Sequence, residues 1–295
     1  GSKTYKGKFG PDIYNQFVLD FISANKEKPF FVYYPMALPH GPFVHTPLEM
    51  DAKSKLDKHK AMVRYIDHLL GKLVAHIDAE GIRNNTIIVW TTDNGTTGGI
   101  TNKMNGRLVS GGKMKKTENG VNAPLIVNCP GLVPEAATSD ALVDFTDMLP
   151  TFADLAGAKP EADYTYDGFS LKEVFLGKAK ESKRKWILAM GSRPARMTDQ
   201  GVQNVYVFRD RVIRGTRFKL FVNTERKPEK LVDLSKDPEE ENNLMGNPEY
   251  DEVLQQLTAI IDQLPKIDND PKYQILPANE WDRKASHRAD THKKK

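Results

Sequence analysis

"NTIIVWTTDNGTTGG", residues 85–99, is an apolar run that stops on an Asp-Asn pair and then dissolves into threonine and glycine. Two readings of it are open. Asn-Gly after a strand is a strong hairpin signal, whereas hard-oxygen side chains on a turn at a strand's carboxyl end suit a ligand site. The flanking sequence has to decide between them.

Upstream, "PDIYNQFVLDFISAN" (11–25) sets Ile13, Phe17 and Ile22 at helical spacing. In "KPFFVYYPMALPHGPF" the run Phe30 to Tyr34 has the length and composition of a strand covered on both faces, and a proline-rich loop follows it. From about Ser54 to Glu80, Met62, Val63, Ile66, Leu69, Leu70, Leu73, Val74 and Ile77 recur every three or four positions, predicting a long amphipathic helix closed by Gly81. Thr86 to Thr92 reads as a second two-sided strand and Ala123 to Cys129 as a third, and "VDFTDMLPTFADLAGA" (143–158) reads as another helix. Buried strands alternating with helices predict the α/β class, a mostly parallel sheet sandwiched by helices. In such sheets ligands bind beyond the carboxyl ends of the strands, which favours the site reading of Asp93-Asn94.

The charged stretch "KAKESKRK" (178–185) marks a boundary. Beyond it "VYVFRDRVIRGTRFKLFVN" predicts two short strands around Gly215, and "YDEVLQQLTAIIDQL" predicts a helix. The expected organisation is an α/β domain over 1–180, a small C-terminal α+β subdomain over 181–275 and an extended tail over 276–295.

Composition narrows the function classes. Of 295 residues, 28% are charged and 39% hydrophobic, and no apolar run approaches the roughly 18 residues of a membrane span. The net charge of +4 is inflated by "DRKASHRADTHKKK" at the chain end, so it gives no support to a nucleic-acid groove. Cys129 is the only cysteine, which excludes an internal disulfide and a thiolate zinc cluster.

Candidate chemistry collects in the loops after strands. Asp93 and Asn94 are adjacent oxygen donors of the kind that Ca²⁺ or Mg²⁺ coordination needs, although two donors do not complete a shell. His40, in "LPHGP", can serve as a general acid or be an exposed loop histidine, and His45 has the weaker claim. His59, His68 and His76 lack i,i+4 spacing and read as helix-surface residues. Lys113 follows Gly111 and Gly112, which let an ammonium approach an oxyanion closely, while Lys115 and Lys116 also fit a solvated cationic loop.

Taken in order, "PFFVYYPMALPHGPF", "YIDHLLGKLVAHIDAEGIRNNTIIVWTTDNG", "GGKMKKTENGVNAPLIVNCPG", "DFTDMLPTFADLAGA", "DGFSLKEVFLGK" and "KLVDLSKDPEEENNL" resemble the second half of the formylglycine-dependent (type I) sulfatases, in the alkaline phosphatase-like superfamily. The resemblance covers about Lys8 to Leu244. It implies a sulfuric ester hydrolase in which Asp93 and Asn94 are two ligands of a divalent ion, usually Ca²⁺ with Mg²⁺ as the alternative. Lys113, five residues before Glu118, matches the lysine that contacts the sulfate and leaving-group oxygens. His40 matches the histidine that contacts the ester oxygen and helps protonate the departing alcohol.

There are departures. No C/S-x-P-x-R motif of the kind that yields the formylglycine nucleophile precedes the segments that carry the resemblance; the one string of that form, Ser192-Arg193-Pro194-Ala195-Arg196, falls beyond the 178–185 boundary, and Cys129, in "NCPG", has no following arginine and reads as a small buried side chain. The family's first aspartate pair and its further sulfate-binding Lys and His also precede the segment present here. The expectation is therefore the latter part of a sulfatase α/β domain plus its C-terminal subdomain, without turnover of its own. Expected partners are a sulfate ester, a sulfated glycan among them, with no nucleic acid and no membrane, and self-association through a surface left uncovered. By family analogy the compartment is periplasmic or extracellular, and no signal peptide is visible in the chain. Two other readings stand beside this one: a phosphodiesterase or phosphonate monoester hydrolase of the same superfamily, and a non-catalytic sulfatase-like binding module. Specificity is expected in "MALPHGPFVHTPLEM" (36–50) and "MGSRPARMTDQGVQN" (190–204).

Overall fold

A computed structural model describes residues 4–158, 166–191, 196–198, 201–203 and 208–268. The tail expected over 276–295 and much of the 190–204 loop lie outside these residues. In chain order the elements begin with α1 (Gly10–Asn25), α2 (Lys55–Ala79), β1 (Ile88–Thr91), β2 (Thr101–Met104), β3 (Arg107–Ser110), α3 (Glu118–Val121) and β4 (Leu125–Asn128). They continue with α4 (Met148–Leu155), α5 (Lys172–Phe175), β5 (Ile187–Met190), β6 (Arg196–Thr198), β7 (Gly201–Gln203), β8 (Arg211–Arg214), β9 (Phe218–Val222), β10 (Pro228–Asp233) and α6 (Asp251–Gln263). They fall into two units, one of Gly1–Trp90 with Leu125–Ala137, the other of Thr91–Pro124 with Thr138–Lys295.

In the first unit, α2 starts where Ser54 builds a capping box: its hydroxyl accepts the Asp57 N–H at 3.0 Å, and the Asp57 carboxylate accepts the Ser54 N–H at 3.3 Å. The predicted stripe is buried, with Met62, Ile66, Leu69 and Ile77 packing toward Leu38 and the α1 residues Val18 and Ile22. On α1 the predicted Ile22 is buried, but Phe17 is not. Phe17 is 70% exposed, while Asn15 is buried and donates from Nδ2 to Leu69 O at 3.3 Å. On α2, His59 is a buried residue, not a surface one; it packs edge-on against Phe43, and burial pushes its imidazole pKa down, favouring the neutral ring.

The expected parallel sheet is not seen among the described residues. β1 pairs with β4 in a two-stranded sheet, and every described strand register is antiparallel. Residues 30–34, expected as a two-sided strand, carry no ladder. Phe30, Val32 and Tyr34 pack against the Val18, Ile22 and Ile77 cluster, while Phe31 is 66% and Tyr33 81% exposed. The alternation is that of an extended segment covered on one face. β4 repeats it, with Ile126 55% exposed. What stands is a mixed α/β fold.

The second unit holds a four-stranded antiparallel sheet in the order β10-β9-β8-β5, which includes the two short strands predicted around Gly215. Its core joins Ile213, Leu220, Val222 and Leu231 to Leu257 and Ile261 of α6, the predicted helix. A separate hairpin joins β2 to β3 through Asn105 and Gly106, both in the left-handed region at φ +50° and +82°. The Asn-Gly hairpin signal is thus realised at 105–106, while β1, the strand before Asn94-Gly95, pairs with β4.

Candidate functional site

Asp93 and Asn94 follow β1 directly, in a turn closed by Thr92 Oγ1 donating to Asn94 O at 3.1 Å. The turn is joined to the Lys113 segment by backbone. Gly95 N–H donates to Gly120 O at 2.9 Å, Lys113 N–H to Thr96 O at 3.0 Å and Gly111 N–H to Ile100 O at 2.8 Å. Asn119 adds its Nδ2 to Ser110 O at 2.7 Å.

The glycines are explained by this join. A Cβ on Gly95 would overlap the Asn119 carbonyl, and one on Gly111 the Thr97 carbonyl. One on Gly112 would strike the Asn119 side chain, and one on Gly120 the Gly112 and Lys115 carbonyls. Backbone lies against backbone at Gly95, Gly111 and Gly120, and against the Asn119 side chain at Gly112, an approach that only glycine permits. Sequence reasoning found Lys113 and its glycines but missed Asn119 and Gly120, whose only signal was a third Asn-Gly pair, after 94–95 and 105–106.

Lys113 is partly buried, and Met114 beside it is held at φ +75°, a strained conformation for a residue with a Cβ. The ion pairs of this segment belong to its neighbours: Lys116 pairs with Asp210, and Glu118 accepts from Lys219 Nζ at 3.0 Å. Among the described residues the Lys113 ammonium has no ion-pair partner.

The Asp-Asn turn fits part of a hard-cation shell. Asn94 spends its Nδ2 hydrogens inside the turn, on Asp93 Oδ1 at 3.0 Å and Gly95 O at 3.2 Å. Its amide oxygen is left as an acceptor beside the second carboxylate oxygen of the exposed Asp93. Two such donors supply a fraction of the six to eight oxygens that Ca²⁺ takes. Among the described residues no group of three or more His, Cys, Asp or Glu completes a metal set.

His40 belongs to the other unit and is exposed. Its Nδ1 lies 2.7 Å from Gly41 O, and since a carbonyl can only accept, Nδ1 carries the hydrogen and Nε2 is left for other work. His45 is exposed as well. Cys129 is buried with Sγ 3.5 Å from Asn84 O, and burial pushes its thiol pKa up, the opposite of what a nucleophile requires.

Oxygen ligands and an ammonium held on mutually packed loops suit an anionic ester as substrate. The chain belongs to the sulfatase family, whose model matches residues 11–158, and the model for the C-terminal region of N-sulphoglucosamine sulphohydrolase matches residues 113–267. It is 27% identical over 287 residues to the ulvan-active sulfatase of Formosa agariphila, an overlap of 81% of this chain and 53% of that protein. The chain thus spans about half the length of this curated relative. Among solved structures it is 27% identical to BT4656 in complex with its substrate D-glucosamine-2-N,6-O-disulfate, with a TM-score of 0.55 over 72% of this chain and 42% of that one. The fold also matches the crystal structure of Ps i-CgsB at a TM-score of 0.72 and 23% identity, covering all of this chain and 64% of that one.

Proposed function

We propose that this chain is the C-terminal portion of a sulfuric ester hydrolase that acts on sulfated glycans. The observation that supports it best is the glycine-packed join that holds the Asp93-Asn94 turn against the Lys113 segment. On this reading Asp93 and Asn94 hold part of a Ca²⁺ shell. The ion, when bound, supplies positive charge to the sulfate oxygens and the nucleophile. Lys113 places its ammonium on the bridging and sulfate oxygens, where negative charge grows as the sulfur–oxygen bond breaks. His40, which the family resemblance makes the acid for the departing alcohol, has its Nδ1 held on Gly41 O, so Nε2 is the nitrogen left for that role. The formylglycine nucleophile and the remaining ligands belong to sequence that relatives carry outside the matched span. The remaining strands of the expected parallel sheet belong with it, and the exposed Tyr33 and Ile126 are apolar surface for it to cover. The glycan assignment rests on the disulfated glucosamine bound by BT4656.

The test is hydrolysis of aryl sulfate and sulfated oligosaccharide by the protein with its upstream sequence, set against the 295-residue chain alone. Sulfate release by the longer protein only, falling about 10²- to 10³-fold in Lys113→Ala, is expected. Turnover of phosphate esters in place of sulfate esters, or full activity in Asp93→Ala, overturns the reading.

A further inference from the structure

The C-terminal phrase "KLVDLSKDPEEENNL" contributes no group to the chemistry above, yet it supplies one carboxylate, Glu240, to a charge cluster behind the Lys113 segment. Lys219, on β9, is fully buried at 0% exposure. Its ammonium lies between two carboxylates, 3.0 Å from Glu118 Oε1 and 2.8 Å from Glu240 Oε1. The second oxygen of Glu240 accepts the backbone N–H of Glu118 at 2.6 Å, and Arg214 Nη2 stands 3.6 Å from Glu118 Oε2. Two cations therefore meet two anions, and the backbone amide is tied in with them.

One end of this bridge, and one residue of the segment that it holds, are in unusual conformations. Glu240 sits at φ +58°, fixed by its own N–H on Asp237 O at 3.1 Å and by Lys230 Nζ on its carbonyl. Met114, next to Lys113, sits at φ +75°. Left-handed geometry at side-chain-bearing residues persists only where the surroundings over-determine it. From Glu118 the linkage runs through Asn119 and Gly120 to the carbonyl that receives the Gly95 N–H, one residue from Asn94.

We propose that Lys219, with Glu118 and Glu240, is a positioning device: it fixes the 113–121 segment on the C-terminal sheet and thereby sets Lys113 against the Asp93-Asn94 turn. Lys219 touches no substrate on this assignment. Its value for catalysis rests on the sulfatase reading, but its value for loop geometry does not.

Two readouts on Lys219→Met and Glu118→Gln separate these layers. In the 295-residue chain, Lys219→Met is expected to speed amide exchange at Gly95, Lys113 and Gly120 by about tenfold or more, while Leu220 and Ile213 in the core ladder keep their protection. Glu118→Gln, which preserves size, shifts the same amides less. In the protein with its upstream sequence, kcat for a sulfate ester is expected to fall roughly 10- to 100-fold in Lys219→Met with KM little changed, the size of effect seen when support behind a site is removed. The inference is overturned if the site amides keep their protection in both variants. It is equally overturned if they lose it only together with Leu220 and Ile213, or if neither variant folds, since each marks a role in stability alone. If wild type turns over no sulfate ester while the site amides respond, the sulfatase reading fails and the positioning role stands; turnover without that response gives the converse.

Discussion

Replacing Gly95 by alanine tests whether "DNG" is built for close approach of two backbones. The added methyl would sit inside the Asn119 carbonyl, and the 2.9 Å bond from Gly95 N–H to Gly120 O holds the two strands of backbone at that separation. Neither side can rotate away, because the obstacle is main chain. Overpacking of this kind costs roughly 1–3 kcal/mol, and loss of the hydrogen bond adds about 1 kcal/mol. At about 2–4 °C per kcal/mol for a unit of this size, Tm should fall by roughly 4–16 °C. Gly98, three residues on, has nothing within 4 Å of a built Cβ and lies outside the left-handed region. Gly98→Ala should therefore change stability by no more than about 0.5 kcal/mol. Thermal and urea denaturation of the two variants beside wild type decide the matter. Equal melting temperatures for Gly95→Ala and Gly98→Ala would refute the packing argument and return the stretch to an ordinary flexible loop.

Two further perturbations probe charge and thiol chemistry. The Arg217 guanidinium, with Nε 3.0 Å from Oδ1, together with Ser235, holds the Asp233 carboxyl well below the usual carboxylate range. A carboxylate depressed in the folded state stabilises fully above its unfolded pKa, about 3.9, and loses that contribution as pH falls through the folded value. The stability gap between wild type and Asp233→Asn should accordingly stay level from neutral pH to about 5 and close on further acidification; a gap unchanged at pH 2 contradicts the pairing. Cys129, buried and with its thiol pKa raised, should resist a thiol-exchange reagent in the native chain and react fully in denaturant. Rapid native labelling would show the site to be open.

Legibility in the sequence followed the range of the interactions involved. Ser54 through Gly81 could be read because capping and a 3.6-residue stripe are local, and α2 runs from Lys55 to Ala79. The strands around Gly215 and the helix after Tyr250 were readable for the same reason. The run Phe30–Tyr34 misled because a continuous apolar stretch states that two faces avoid water without stating what covers them. In this chain one face meets α1 and α2, and Phe31 and Tyr33 are exposed on the other. Phe17, read as part of the buried stripe, is exposed, while Asn15 is buried with its amide on Leu69 O, 54 residues away, a partner that local periodicity does not show. At the candidate site the residue types of Asp93, Asn94 and Lys113 were readable, but their joining was not. It depends on Gly95 meeting Gly120, and on Lys219 meeting Glu118 at a separation of 101 residues, which no periodicity encodes.

These long-range links explain why so much chain between two paired strands can hold a site at all. β1 and β4 are neighbours in one sheet, yet residues 91–124 separate them, far more than the dozen or so residues beyond which a loop without its own structure is uncommon. The excursion acquires order from three sources. The β2–β3 hairpin takes up its middle, four glycines let its two ends pack backbone to backbone, and the ion pairs of Lys116 and Glu118 tie the returning end to the C-terminal sheet. The last of these is the expensive one, since burying Lys219 is tolerable only with both carboxylates in place. A charge cluster with no net excess and a locked backbone amide adds little stability over an apolar plug of the same size, but it fixes one register of the 113–121 segment where greasy packing would allow several. On the proposed reading, which needs an ammonium and two oxygen ligands set at a fixed separation, that uniqueness is what the buried charges would contribute.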